Sequence, residues 1–299
     1  MRRVVRSVVV LLLGLALLGL PDPARQPIRL SLVRVETAKA VDFEQGIVWV
    51  LVLGSDAPDG TDVMDGRADA IQLVGIDFDQ GAAVAVGVPR DLWVETPGEG
   101  FDRINAGLRS GGPEQMARSV RRLVGVAPDF VLTTGFDGFE DMVDSIGPLT
   151  VRSTRAFEDP EEDLTVRRGL NSMDGQDALG FARARVALPR GDFDRSANHQ
   201  QLLRAALRRL RAREDVEGFV ERGVFAAISG LDTELSPADL YRLAQALTTI
   251  DLTRLTACVL PGTPGVESGA QVLYPDVTLS RRVGNDIRGD AELDRGCSP

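Results

Sequence analysis

The longest apolar stretch after the N-terminus, Ile47-Val48-Trp49-Val50-Leu51-Val52-Leu53, is nearly continuous and stops at Gly54. A run of that length without polar alternation predicts a strand covered on both faces, the kind found centrally in α/β sheets. Ala70 to Ile76 and Ala82 to Val88 repeat the pattern around Asp77-Phe78-Asp79-Gln80-Gly81, a turn-forming joint that predicts a hairpin. Helical spacing then takes over. Pro113 to Val124 places Met116, Ala117, Val120, Leu123 and Val124 on one stripe, and Phe136 to Ile146 does the same with Phe139, Met142, Val143 and Ile146 before Gly147-Pro148 ends it. Phe130 to Thr133 and Leu149 to Val151 read as short strands, and Ala156 to Arg168 as an acidic loop. Asp174 to Arg185, Arg195 to Arg213, Val216 to Ile228 and Pro237 to Leu247 read as helices. Strand Leu255 to Leu260 ends at Pro261-Gly262, and a turn-rich tail leads to a polar helix near Asp276 to Ile287.

Ahead of all this, Met1-Arg2-Arg3-Val4-Val5-Arg6 precedes an apolar run from Ser7 to Leu20 that ends at Pro21. Counted from Val4 it spans about 25 Å as a helix at about 1.5 Å per residue. It is read as an uncleaved membrane anchor, with a cleaved export signal as the alternative. Arginines before it and acidic sequence after it leave the bulk of the chain outside the cell membrane, single-pass and extracytoplasmic. The expected organisation is an anchor over 1–22, a linker over 23–44 with one short strand near Ile28-Leu30-Leu32, a folded domain over 45–260 and a tail over 261–299.

Composition narrows the chemistry. With 34 basic and 44 acidic residues the net charge is −10, which argues against a nucleic-acid partner held by general positive charge. Lys39 is the sole lysine, so an anionic ligand must meet arginines, whose planar forks suit bidentate phosphate contacts; genomic base composition gives the same bias. Cys258 and Cys297 with the single His199 are too few for a structural zinc site, and a metalloprotease is excluded with it. Neither is there a Gly-x-Ser-x-Gly elbow for a serine hydrolase. Outside the membrane the two cysteines are free to pair, two separate thiols being the alternative.

Four polar clusters fall where strands or helices end: Gly54-Ser55-Asp56, Arg67-Ala68-Asp69, Pro89-Arg90-Asp91, and Arg183-Ala184-Arg185 followed by Asp192-Phe193-Asp194-Arg195-Ser196-Ala197-Asn198-His199. Asp56 and Asp69 on neighbouring strands, with Arg90 nearby, suit Mg2+ held against a diphosphate; a salt bridge closing two loops is the plainer reading. Leu202, Leu203, Ala206 and Leu210 form the buried stripe of the next helix, and stepping back along it brings up His199 and Arg195. An arginine in a first helical turn opposes the helix dipole, so an anion there would compensate; Asp192 or Asp194 would serve as well.

Taken in order from Leu51 to Leu207, these residues resemble the LytR-CpsA-Psr family of cell-envelope glycopolymer transferases. The resemblance runs through Leu53-Gly54-Ser55-Asp56, Arg67-Ala68-Asp69-Ala70-Ile71, Val88-Pro89-Arg90-Asp91, Arg103-Ile104-Asn105-Ala106, Gly111-Gly112-Pro113-Glu114, Phe136-Asp137-Gly138-Phe139, Leu170-Asn171 with Gly175-Gln176-Asp177-Ala178-Leu179, Arg183-Ala184-Arg185 and Asp192-Phe193-Asp194-Arg195. It implies a three-layer α/β/α domain with a central mixed sheet. It also implies Mg2+ at Asp56 and Asp69, and a polyprenyl-diphosphate-linked glycan whose diphosphate meets Arg90, Arg183, Arg185 and Arg195, with His199 as a further polar contact and Arg90 and Asp69 as catalytic residues. The lipid tail would lie in an apolar channel between sheet and helices. A hydroxyl of peptidoglycan or another wall glycan attacks the sugar carbon, and the lipid pyrophosphate leaves. Departures occur at Pro58, where the family often has Arg, and at Asn198-His199, where it usually has Arg-Gln. A polyprenyl-diphosphate pyrophosphatase and a non-catalytic lipid-glycan-binding envelope regulator are the alternative functions.

Overall fold

The apolar run at Ile47 becomes a nine-residue strand, Ile47–Ser55, with a strand on each side of it and side chains buried on both faces. The computed structural model describes residues 27–36, 46–185, 187–213 and 231–297. In chain order the first half contains β1 (Leu30–Arg34), β2 (Ile47–Ser55), β3 (Ala68–Asp77), β4 (Ala82–Gly87), β5 (Trp93–Thr96), β6 (Gly100–Arg103), α1 (Ala106–Val124), β7 (Phe130–Thr134) and α2 (Phe136–Ile146). The second half contains β8 (Leu149–Ser153), β9 (Phe157–Asp159), β10 (Leu164–Val166), β11 (Gly169–Met173), α3 (Gly175–Arg183), α4 (Asp192–Arg211), β12 (Leu231–Thr233), α5 (Pro237–Thr248), β13 (Leu255–Val259), β14 (Gly262–Glu267), β15 (Ala270–Pro275) and α6 (Val277–Ile287).

Seven strands form one mixed sheet in the order β12-β1-β7-β2-β3-β4-β13. The pairs β1–β12, β2–β7 and β4–β13 are parallel; β1–β7, β2–β3 and β3–β4 are antiparallel. Alternation along each strand sorts the core into layers. Leu51, Leu53, Ile71, Leu73, Val84 and Val86 face α1 and α6. Val74, Ile76, Ala83 and Ala85 face Leu207 of α4, while Val48, Val50 and Phe130 face Leu240 of α5. Helices thus cover both faces of a central mixed sheet. Leu202 and Ala205, on another side of α4, pack against β8, β10, α2 and α3.

Several boundaries differ from expectation. Leu30–Arg34 is no tether: it lies in the sheet between β7 and β12, so the folded body begins before residue 45. Its partners are remote in sequence, and five residues carry no local hairpin signal. The body also continues past residue 260, because Val272, Leu279, Val283 and Ile287 are buried. Ala156 to Arg168 contains the β9–β10 hairpin, whose Leu164 and Val166 are buried among acidic neighbours that mask them. Helix α1 starts at Ala106 and breaks at Gly111-Gly112, where φ of +66° at Gly112 admits the turn before Pro113 restarts a regular helix. Cys258 and Cys297 form a disulfide, tying the C-terminal segment to β13. The expected helix at 216–228 and the expected anchor at 1–22 lie outside the described residues. Among the described residues no helix is long and apolar enough to cross a membrane.

Candidate active site

Ser55 pairs with Ala68 and Gly54 with Ala70, which leaves Asp69 as the extra residue of a β-bulge between β2 and β3. Alternation reverses there. Ala68 joins Ile71 and Leu73 in the core under α1, whereas Asp69 turns to the α4 face, with Oδ2 3.7 Å from Arg195 Nη1.

Helix α4 begins three residues earlier than its hydrophobic stripe predicts, so Arg195 is its fourth residue instead of its first. Its side chain is 6% exposed, and Nη2 stands 2.6 Å from Asp192 Oδ1 and 3.4 Å from the Asp69 carbonyl oxygen. The plainer alternative for Arg195, a bridge to Asp192, is therefore realised in this structure. Arg90 comes from the turn after β4. Its Nη1 donates to Asp69 Oδ1 at 2.5 Å, while Nε lies 3.7 Å from Asp192 and 3.8 Å from Asp91. Arg103 reaches Asp91 at 3.7 Å. Arg90 Nε is sealed from solvent and has no hydrogen-bond partner.

The electrostatics follow from burial. Desolvation works against the Arg90 charge, but Asp69, Asp192 and Asp91 together outweigh it and raise its pKa. Burial lowers Arg195, with Arg90 and Arg185 adding repulsion against the pull of Asp192 and Asp69. Burial raises Asp192 despite Arg195 and Arg90. Three guanidiniums and three carboxylates are thus packed together with positive groups close enough to oppose one another.

Arg183 and Arg185 border this centre from the end of α3. Arg183 bridges Glu162 at 3.1 Å and lies 4.5 Å over the Phe136 ring. Arg185 is exposed, and its charge reaches Arg195. Asp56 is exposed and takes the turn role: Oδ1 accepts the Arg67 backbone N–H at 2.6 Å. Among the described residues no three His, Cys, Asp or Glu side chains converge on a metal position. Mg2+ commonly uses only one or two carboxylates plus phosphate oxygens and water, and Asp56 and Asp69 are hard oxygen donors of that kind; here both Asp69 oxygens face arginines and Asp56 Oδ1 closes its turn.

His199 departs from its expected role. Nε2 lies 2.8 Å from the Ala182 carbonyl oxygen, so it must carry the proton, while Nδ1 is sealed and unpartnered. Burial, with Arg195 nearby, pushes its pKa down to about 4. A neutral ring with only a lone pair remaining cannot donate to phosphate, so its contact is structural, between α4 and α3.

Sequence reasoning missed other members. Glu162 sits in the segment expected to be loop, and Arg155 and Arg190 converge on buried Asp194 at 3.5 and 2.7 Å. Gln72 carried a readable signal, a lone amide within an apolar strand. It donates from the sheet to Ser196 Oγ at 3.1 Å.

An arginine-rich, carboxylate-braced cluster thus lies where strand ends meet the N-terminal part of a helix in an α/β fold. The LytR_cpsA_psr family profile matches residues 29–285, and the chain belongs to that family. It is 31% identical over 191 residues to the probable cell wall biosynthesis protein LcpB of Corynebacterium glutamicum, covering 60% of this chain and 45% of LcpB. It is 30% identical over 159 residues to the polyisoprenyl-teichoic acid–peptidoglycan teichoic acid transferase TagU of Bacillus subtilis, covering 53% of this chain and 50% of TagU. The chain thus spans about half the length of the curated relatives it matches. The crystal structure of B. subtilis TagV shares the fold with a TM-score of 0.71 at 21% identity, covering 84% of this chain and 99% of TagV. So does YwtF (TagT) with bound octaprenyl pyrophosphate lipid, with a TM-score of 0.65 at 20% identity over 86% of this chain and 95% of that one.

Proposed function

We propose that the protein transfers a glycopolymer from a polyprenyl-diphosphate carrier to peptidoglycan or a related cell-wall acceptor. The domain would be extracytoplasmic, held at the cell membrane by residues 1–22. The observation that carries the reading is Arg90 Nε, a buried donor without an acceptor amid Arg195, Asp69 and Asp192. A diphosphate oxygen supplies the missing acceptor, and Arg185 and Arg183 at the rim would meet its outer oxygens. Family membership and the lipid named for YwtF (TagT) support the same ligand class.

As the bond to the carrier breaks, negative charge grows on the departing phosphate, and fixed guanidiniums stabilise that charge more than the starting ester. Asp192, whose pKa burial raises, is the carboxylate we assign to take the acceptor hydroxyl's proton. Asp56 and Asp69 would hold Mg2+, which would neutralise further diphosphate charge. The prenyl chain would lie along the apolar face between sheet and helices.

The test is release from a labelled polyprenyl-diphosphate sugar, with and without acceptor. Acceptor-dependent transfer supports the proposal, and the lipid product reports the bond broken: diphosphate for attack at the sugar carbon, monophosphate for attack at phosphorus. Hydrolysis indifferent to acceptor makes it a pyrophosphatase, and tight binding without turnover makes it a lipid-glycan-binding regulator.

A further inference from the structure

Between the arginine site and the disulfide runs a chain of two amides, Gln72 buried and Gln200 half-buried. Gln72, three residues beyond the bulge on β3, donates through Nε2 to Ser196 Oγ at 3.1 Å and to the Ser196 carbonyl at 3.4 Å. Its Oε1 accepts from Gln200 Nε2 at 3.4 Å. Gln200 Nε2 also donates to the Ala85 carbonyl at 3.3 Å and to the Cys258 carbonyl at 2.5 Å. Cys258 belongs to β13, the edge strand, and its sulfur is bonded to Cys297. Ser196 directly follows Arg195. Hence α4 is fastened at Ser196 and Gln200 to three adjacent strands, β3, β4 and β13, by two side-chain amides.

The remaining contacts run along the same line. Arg204 Nη2 donates to the Leu255 carbonyl at 2.5 Å and Arg211 Nη1 to the Ile250 carbonyl at 2.7 Å, so α4 is stitched along its length to β13 and the segment before it. Gly87 leaves the room the amides need, for a Cβ there would stand 2.4 Å from Ser196 Oγ and 3.2 Å from both amide nitrogens. β13 is an edge strand paired with β4 on one side, and Cys258 ties it further to Cys297.

We propose that Gln72 and Gln200 are positioning residues that set Arg195 and Asp192 against Asp69, and that the Cys258–Cys297 bond acts on the site through the Cys258 carbonyl held by Gln200. The inference rests on the diphosphate reading of the arginine site for its ligand, but its mechanical part does not need that reading. Neither amide touches the ligand. Their effect is on where the guanidinium stands, and sub-ångström placement governs a charge-assisted contact.

The experiment is a mutant cycle on the full chain in detergent, with Gln200→Met, Gln72→Met, Cys297→Ser, and Gln200→Met combined with Cys297→Ser. Two ligands are compared, undecaprenyl diphosphate and undecaprenol. Each single change is expected to weaken diphosphate binding about fivefold to tenfold and to leave the alcohol unaffected, with the double no weaker than the worse single. A double equal to the product of its singles, an equal loss for the alcohol, or parent-like binding in every variant overturns the proposal. Hydrogen exchange of the backbone amides at residues 195–198 supplies a ligand-free arm. Exchange there should speed up in each variant, and in the parent on reduction of the disulfide; unchanged protection in all of them also overturns it. If the parent fails to prefer diphosphate over alcohol, the functional reading falls, and the exchange arm alone decides the positioning claim.

Discussion

Arg90 Nε and Asp192 Oδ1 stand 3.7 Å apart, both sealed from solvent and too distant to hydrogen bond to each other. Asp192 has Arg195 at 2.6 Å as an ion partner; Arg90 Nε has no hydrogen-bond acceptor. A buried donor left so costs about 1–3 kcal/mol, a cost that an anionic ligand oxygen removes.

Replacing Arg90 by alanine removes that donor and the 2.5 Å contact to Asp69. Binding of polyprenyl diphosphate should weaken about tenfold to a hundredfold, the usual worth of a charge-assisted hydrogen bond of about 1.5–3 kcal/mol. Arg90→Lys should recover only part, since an ammonium has no fork. Titration with the lipid, alongside thermal unfolding, checks this. A folded Arg90→Ala protein that binds like the parent would remove Arg90 from the site.

Gly87→Ala tests the spacing between sheet and helix. The new methyl group meets Ser196 Oγ at 2.4 Å, and overpacking of this kind costs about 1–3 kcal/mol. Thermal unfolding should report that loss, and adding Ser196→Ala should restore part of it because the colliding oxygen is gone. A double variant no more stable than Gly87→Ala would place the clash elsewhere, on the two amides.

Why some of this was legible and some was not is visible in individual residues. Ile47 to Leu53 could be read because its burial on two faces leaves an unbroken apolar run. The short strand expected near Ile28-Leu30-Leu32 is present as Leu30–Arg34, but its place inside the sheet could not be read, since its strand partners are about a hundred and two hundred residues away, as in the Ser31–Thr133 and Ser31–Asp232 pairs. Arg195 was marked by its place on an apolar helical stripe. The direction of Asp69 depends on a bulge, and nothing in alternating residues announces where alternation will reverse. Asp56 and Asp69 looked equivalent in sequence; the structure gives one a turn to close and the other two arginines to face.

The place of β1 in the sheet changes how the membrane segment should be tested. A chain beginning at Pro27 keeps Leu30–Arg34 between β7 and β12, whereas one beginning at Val41 loses that strand and leaves both neighbours unpaired along it. The full chain should fractionate with membranes, the Pro27 chain should be folded and soluble, and the Val41 chain should aggregate or unfold. Circular dichroism with ultracentrifugation reads all three. A stable Val41 chain would show that β1 is dispensable, and a full chain found in the soluble fraction at its complete mass would remove the anchor.

His199 supplies a pH dependence whose sign follows from its surroundings. Nε2 donates to the Ala182 carbonyl, Nδ1 has no partner, and Arg195 is close, so adding a proton puts a second positive charge in a sealed place. The folded-state pKa is therefore about 4, against about 6.5 in the unfolded chain. Below about pH 6.5 the unfolded state binds the proton more readily. The contribution is complete above that pH and disappears as the pH falls through 4, in total about 3 kcal/mol. His199→Gln keeps an N–H for Ala182 and does not titrate. Urea unfolding of both proteins between pH 7 and 4 should show a shallower acid limb for the variant, while carboxylates titrating in the same range contribute equally to each. Parallel limbs would mean that the imidazole is open to water or already partnered, and that α3 and α4 are not joined through a neutral ring.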